Sequence, residues 1–237
     1  MTLRATHPAR EAQGRLTRER IVDAALAFMD EHGVQALTMR KLGAALGVEA
    51  MAIYRYVPGR EDLLEAVIAR VLGGLPDRLD RELTRTWQGY LQAYAHQVRA
   101  IAVEHPQVFP LVATKHPAAP WLRPPLRSIE LVEDFLTTLS GHGFSDVQVA
   151  ETYRSFTSFL LGHLLLECGI RGATTGPIDE ALDEGQATVP RNDGMRGLEG
   201  APTARRLRPL LSEDRAEEEF EMAVEALLDR TEIAISQ

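Results

Sequence analysis

Helical periodicity recurs in several long windows of this chain, and the alternation of period two that marks a strand is absent. Residues 18 to 32 place Ile21, Ala24, Ala25, Phe28 and Met29 on one stripe, with Thr17 before them as a cap and Gly33 after them as a stop. Thr38 precedes Met39, Leu42, Ala45 and Leu46, and Gly47 follows, which predicts a second helix of about two and a half turns. Ala50 to Tyr56 predicts a third, held short by Pro58 and Gly59. A fourth runs from Arg60 through Leu63, Leu64, Val67, Ile68 and Val71 until Gly73-Gly74-Leu75-Pro76 breaks it.

The remainder carries longer stripes. Trp87, Tyr90, Leu91, Tyr94, Val98 and Ile101 form one, and Leu122, Leu126, Ile129, Val132, Phe135, Leu136 and Leu139 predict the next, closed by Gly141 and Gly143. A third follows Ser145 with Val149, Ala150, Tyr153, Phe156, Leu160, Leu164 and Leu165; Phe159, Leu161 and Leu166 widen its apolar surface, so it is expected to be buried on more than one side. Residues 169 to 209 hold seven Gly and four Pro, the composition of a mobile loop. A last helix begins after Ser212, its acidic start (Glu213, Asp214, Glu217, Glu218, Glu219) suiting the positive end of a helix dipole and Phe220, Ala223, Val224, Leu227 and Leu228 giving it a core face. The expected fold is all-α: a basic arm over 1–16, a three-helix helix-turn-helix domain over 17–59, a connecting helix over 60–74, and a C-terminal helical domain over 75–237 with a loop at about 169–211.

Composition removes several function classes. The longest nearly apolar run, Phe159 to Leu166, is broken by Gly162 and His163 and falls short of the roughly 18 residues of a membrane span. Five arginines in the first twenty residues have no apolar stretch behind them, so no secretory signal is read and a cytoplasmic location is expected. The single cysteine, Cys168, excludes an intrachain disulfide and a thiolate zinc site. The net charge is −8, but the first 70 residues stand at +1 and the rest at −9, so a nucleic-acid partner for the head stays open.

The sharper signal lies around Gly47. Two short helices flank it, and the second carries Tyr54, Arg55 and Tyr56 at its end with Arg60 opening the next. Phenolic hydroxyls and guanidinium groups gathered at the end of a recognition helix bind phosphates well. The run Thr38-Met39-Arg40-Lys41-Leu42-Gly43-Ala44-Ala45-Leu46-Gly47-Val48, then Ala52-Ile53-Tyr54-Arg55-Tyr56-Val57, then Arg60-Glu61-Asp62-Leu63-Leu64, resembles the DNA-binding signature of the TetR family of one-component transcriptional regulators. The resemblance implies that the third helix enters the major groove. It also implies that Thr38 and Arg40 act at the start of the second helix and that Tyr54, Tyr56 and Arg60 hold the backbone. Chemically, Arg40 suits bidentate contact with guanine, whereas Ala50 and Met51 touch only a thymine methyl or exclude water. Tetracycline repressors usually carry an amide and a proline at those last two positions, so their operator is not transferred. The arginine-bearing arm over residues 4–20 is a candidate minor-groove contact.

In the body the likeness points to the tetracycline-repressor branch. It covers Trp87 to Ile101, Gly143-Phe144-Ser145, Leu160 to Glu167, and Ala216 to Ile233. This implies a homodimer joined through about 147–167 and 215–233, whose paired recognition helices would read a palindromic double-stranded operator. That branch binds its drug as a magnesium chelate through a histidine; aligning His105 and Pro117 puts Val112 there, and an alkyl group offers a hard cation nothing. No metal and no cofactor are therefore expected, and the effector is expected to be small and largely apolar. Candidate pocket residues are Trp87, Tyr90, Tyr94, Phe109, Trp121, Phe135, Tyr153 and Phe156, with His96 and His163 as polar members; His116 is a further isolated histidine. Two other classes compete with a ligand-responsive repressor. One is a helical dimeric adaptor whose Tyr54 cluster contacts protein. The other is an enzyme using His163 and Glu167 one turn apart, disfavoured because no HExxH, phosphate loop, nucleophile elbow or cysteine site accompanies the pair.

Overall fold

The computed structural model describes residues 15–114, 117, 119–173, 203, 206–207 and 215–236. Nearly all of the basic arm, most of the 169–211 loop, His116, Glu213 and Asp214 lie outside the described residues. The chain divides into two compact units, Met1–Thr175 and Gly176–Gln237. No strand occurs among the described residues, and no described helix is long and apolar enough to cross a membrane.

In the first unit α1 (Arg18–His32) starts where the Thr17 hydroxyl accepts a hydrogen bond from the Arg20 amide at 3.2 Å, and it ends at Gly33. It packs on α2 (Met39–Leu46) and α4 (Arg60–Leu72) through Ile21, Ala25 and Met29, all fully buried. Thr38 caps α2 by accepting from the Lys41 amide at 3.2 Å, and Gly47 closes it in the left-handed region at φ 70°. Glycine adopts that conformation without steric cost, so the chain reverses here in one residue.

α3 (Ala50–Ile53) is shorter than its sequence predicts. Tyr54, Arg55 and Tyr56 form a turn instead: the Tyr56 and Val57 amides both donate to the Ile53 carbonyl, at 2.9 and 3.0 Å. Pro58 supplies the reason, since the residue before a proline is driven out of helical geometry. α3 packs on α2 at Gly43, where a Cβ would stand 2.8 Å from the Val48 carbonyl oxygen and 3.2 Å from the Ala50 nitrogen.

After a short α5 (Leu75–Arg78), α6 (Trp87–Glu104) and α7 (Ile129–Gly141) each pack on α8 (Asp146–Ile170). α8 opens on a capping box in which the Ser145 side chain and the Gln148 side chain satisfy each other's backbone amides. α7 starts at Ile129, not Leu122. Pro124 and Pro125 lack the amide hydrogens a helix needs, and Leu122 and Leu126 are buried from an irregular segment. In the second unit α9 (Ala216–Ile235) carries Glu217, Glu218 and Glu219 in its first turn and buries Phe220 and Val224.

Replacing Gly43 with valine drives a branched side chain against the Val48 carbonyl, a backbone atom with little room to yield. We expect a loss of about 1–3 kcal/mol in urea unfolding. Parent-like stability would contradict the close approach of α2 and α3.

Candidate nucleic-acid interface and the body behind it

The α2–α3 corner turns one face inward and leaves the other bare. Ile53 is fully buried, whereas Met51, Tyr54 and Tyr56 are 73%, 41% and 38% exposed. An exposed methionine and two exposed tyrosines on so short a segment are not core residues. Thr38, Arg40 and Lys41 are exposed on α2, and Ala50 is half-buried at the start of α3. Lys41, which sequence reasoning left without a role, lies on this same exposed stretch, its ammonium donating to the Ala36 carbonyl at 3.0 Å. Arg60 is half-buried. Its Nη2 donates to the Val34 carbonyl at 3.4 Å and its Nη1 lies 3.9 Å from Glu61, so the guanidinium is held beside the corner.

Side-chain contacts of His105 and Arg127 fasten the helices of this head to the segment that follows α6. His105, at the end of α6, places Nδ1 2.8 Å from Asp30 of α1, whose other carboxylate oxygen is buried without a hydrogen-bond partner. Arg127, 8% exposed, donates from Nε to Glu65 at 2.8 Å, from Nη2 to Glu61 at 2.9 Å and from Nη1 to the Thr114 hydroxyl at 3.3 Å. Its amide donates to the Val112 carbonyl at 3.0 Å. A guanidinium is suited to this: a planar fork satisfies two carboxylates and a hydroxyl at once. Beside it a cleft of about 480 Å³ opens between the end of α4, α5 and the first turn of α7, with Ile68, Leu72, Asp77 and Glu130 among its walls.

The aromatic residues of the body gather in part. Tyr90 and Tyr94 of α6, Phe135 of α7, and Tyr153 and Phe156 of α8 form a chain of ring contacts with centroids 5.7–6.2 Å apart. Such spacings are favourable aromatic packing. The Tyr90 hydroxyl donates to Asp134 at 2.9 Å and that of Tyr153 to the Pro124 carbonyl at 3.1 Å. Burial raises the phenol pKa of Tyr90, Tyr94 and Tyr153 above the ordinary value, Asp134 adding to the effect on the first two. Tyr90 also borders a second cleft of about 300 Å³ with Asp77, Leu79 and Asp134. Trp87 meets Phe144 edge-on at 5.5 Å. Phe109 is fully buried in the turn after α6, and Trp121 is 73% exposed, away from the rings. His96 and His163 are half-buried, the latter 5.8 Å from the Phe159 ring.

The His163 and Glu167 pair does not offer a free base. Glu167 is 5% exposed and accepts two bonds from Arg99, at 3.0 and 3.1 Å, and one from Arg171 at 3.1 Å. Val112 is buried at 1% exposure, and among the described residues no group of three or more His, Cys, Asp or Glu side chains could hold a metal ion.

Two family profiles match the chain: "Bacterial regulatory proteins, tetR family" over residues 21–67, and "Tetracyclin repressor-like, C-terminal domain" over residues 81–229. A transcriptional repressor of Streptomyces coeruleorubidus, DrrR1, is 28% identical over 155 residues, covering 65% of this chain and 55% of that protein. The class D tetracycline repressor protein of Escherichia coli is 29% identical over 151 residues, covering 64% of this chain and 66% of that one. The match thus spans less than two thirds of the length of either relative. The crystal structure of a possible TetR family regulator from Streptomyces coelicolor A3(2) superposes with a TM-score of 0.70 at 26% identity, over 92% of this chain and 99% of that one.

Burial and the neighbouring Glu167 push the Cys168 thiol up to about 11, and its Sγ lies 3.6 Å from the Ala102 carbonyl. Since the thiolate is the reactive form, the folded protein should resist iodoacetamide at pH 8 and react once unfolded in urea. Rapid alkylation of the native protein would contradict this burial.

Proposed function

Since the chain belongs to the TetR family of bacterial regulatory proteins, we propose that it is a ligand-responsive repressor that binds a palindromic operator as a homodimer and is released by a small, largely apolar effector. The observation that carries the reading is the bare face of the α2–α3 corner, with Met51, Tyr54 and Tyr56 exposed around the buried Ile53. In this reading Arg40 reads a guanine edge and Ala50 and Met51 line the groove. Thr38, Tyr54, Tyr56 and Arg60 hold phosphates, and the contacts position the head more than they specify sequence.

Self-association through about 147–167 and 215–233 is supported by large apolar side chains that each helix leaves exposed. On α8, Val147, Leu166 and Ile170 are 66%, 73% and 85% exposed; on α9, Met222 and Ile233 are 55% and 63% exposed. Leu166 and Ile170 lie one turn apart on α8, so their exposed side chains form a local apolar patch of the kind an interface covers.

The effector is placed among the α6–α8 aromatics, with Tyr90, Tyr94, Phe135, Tyr153 and Phe156 as first candidates and Trp87, His96, Phe109, Trp121 and His163 as outlying ones. The five rings already touch, so an apolar ligand enters by parting them. The energy released by its burial must then favour one arrangement of the head over another. With an alkyl side chain at Val112, the effector is expected to be recognised without a metal. The tetracycline of the Escherichia coli relative's name is not carried over to this chain.

The test is a salt series of anisotropy titrations on a duplex that the parent protein selects from a random pool, with its oligomeric state read by light scattering. Tyr54→Ala and Arg60→Ala should weaken binding to all sequences alike, and Arg60→Ala should lower the log–log salt slope by about one. Arg40→Ala should cost about 1–3 kcal/mol and relax the preference at one base pair of each half-site. If all three variants bound like the parent, the assignment of the DNA contacts to this corner would be wrong.

A further inference from the structure

One carboxylate stands between the body and a proposed phosphate contact. Glu61, the second residue of α4, presents Oε2 to Arg127 at 2.9 Å and Oε1 to Arg60 at 3.9 Å. Arg127 belongs to the irregular segment before α7 and is buried there, while Glu61 is 70% exposed at its side chain and Arg60 38%. The buried guanidinium is fixed by Glu65 and Thr114 as well, and the Arg127 amide donates to the Val112 carbonyl, so the position of the residue follows that segment of the body.

We propose that Arg127 is a positioning residue for DNA binding: it holds and neutralises Glu61, so that Arg60 meets phosphate without a competing carboxylate. The inference rests on the reading of Arg60 as a phosphate contact. When Arg127 is withdrawn, Glu61 is left as an uncompensated negative charge within a few ångströms of both Arg60 and the incoming phosphate. It then attracts the first and repels the second. At about 4 Å in water, one such charge is worth roughly a fivefold change in affinity, and added salt screens it. A movement of the segment carrying Arg127 would thereby change DNA affinity without any change in α3.

The experiment measures operator affinity and thermal stability for a set of variants, using the full chain and a duplex selected by the parent. Arg127→Gln should weaken binding roughly fivefold at low salt, the loss shrinking as salt rises. Adding Glu61→Gln should restore affinity to within about twofold of the parent. Adding Glu65→Gln instead removes the other carboxylate that Arg127 holds and should leave DNA binding weak. Arg127→Lys keeps the charge but not the planar fork, so it should bind between the parent and a roughly fivefold loss, with the loss shrinking as salt rises, which keeps the test open if Arg127→Gln fails to fold. Rescue by Glu65→Gln equal to that by Glu61→Gln, or a loss of affinity in a folded Arg127→Lys variant that added salt does not diminish, would overturn the inference in favour of a purely structural ion pair. A parent that selects no duplex would overturn the repressor reading and this inference with it. A parent that binds while Arg127→Gln binds equally well would overturn only this one.

Discussion

The corner between α2 and α3 closes because Gly43 carries no side chain: the Val48 carbonyl and the Ala50 amide occupy the space where a Cβ would stand. From that approach the rest of the head follows. Gly47 reverses the chain in the left-handed region, and Ile53 can then be buried from a helix of four residues. Once Ile53 points inward, the geometry of so short a helix leaves Met51 facing out, and the turn forced by Pro58 sets Tyr54 and Tyr56 beside it. The family's signature is thus a packing solution as much as a binding one.

The body contributes a different kind of constraint. α6, α7 and α8 bring five aromatic rings together, and the contacts of His105 with Asp30 and of Arg127 with Glu61 and Glu65 fix the segment after α6 to α1 and α4. Both anchors sit at the margins of one irregular stretch, so a displacement of that stretch acts on the head at two places. The Arg127 guanidinium is the buried partner here, and withdrawing its carboxylates would strand that charge, so the contact favours one discrete arrangement over gradual slack. That is a property suited to a regulator with two states.

Local chemistry made the head legible from sequence. Thr17, Thr38 and Ser145 announced their helices because a side-chain oxygen before an apolar stripe satisfies an orphan amide, and each does so in the structure. The belonging to the TetR family was likewise readable from the run between Thr38 and Leu64. The start of α7 was not, since apolar spacing continued back to Leu122 while Pro124-Pro125 decided the matter, and neither was the end of α3, where taking Pro58 as the stop left the expected helix longer than Ala50–Ile53. Nor were the partners of Arg127: Glu61 and Glu65 lie more than sixty residues earlier, and no periodicity links residues that only tertiary packing brings together. Glu167 reads as a candidate base in the sequence because Arg99, its main partner, is equally distant. Tyr90, Tyr94, Phe135, Tyr153 and Phe156 are buried as their stripes suggest, whereas Trp121 is exposed, because stripe position says which way a ring points along a helix but not whether a loop residue is covered.

The central claim is that the exposed face of the α2–α3 corner lies against DNA bases. Its most direct test places a photo-crosslinking phenylalanine analogue at Met51, with the same residue at the half-exposed Val103 of α6 as the control, and maps the crosslinks on a bound duplex by sequencing. The account predicts crosslinks from position 51 to bases at symmetric positions of the two half-sites and none from position 103. Equal labelling from both positions, or labelling from 103 alone, would contradict it.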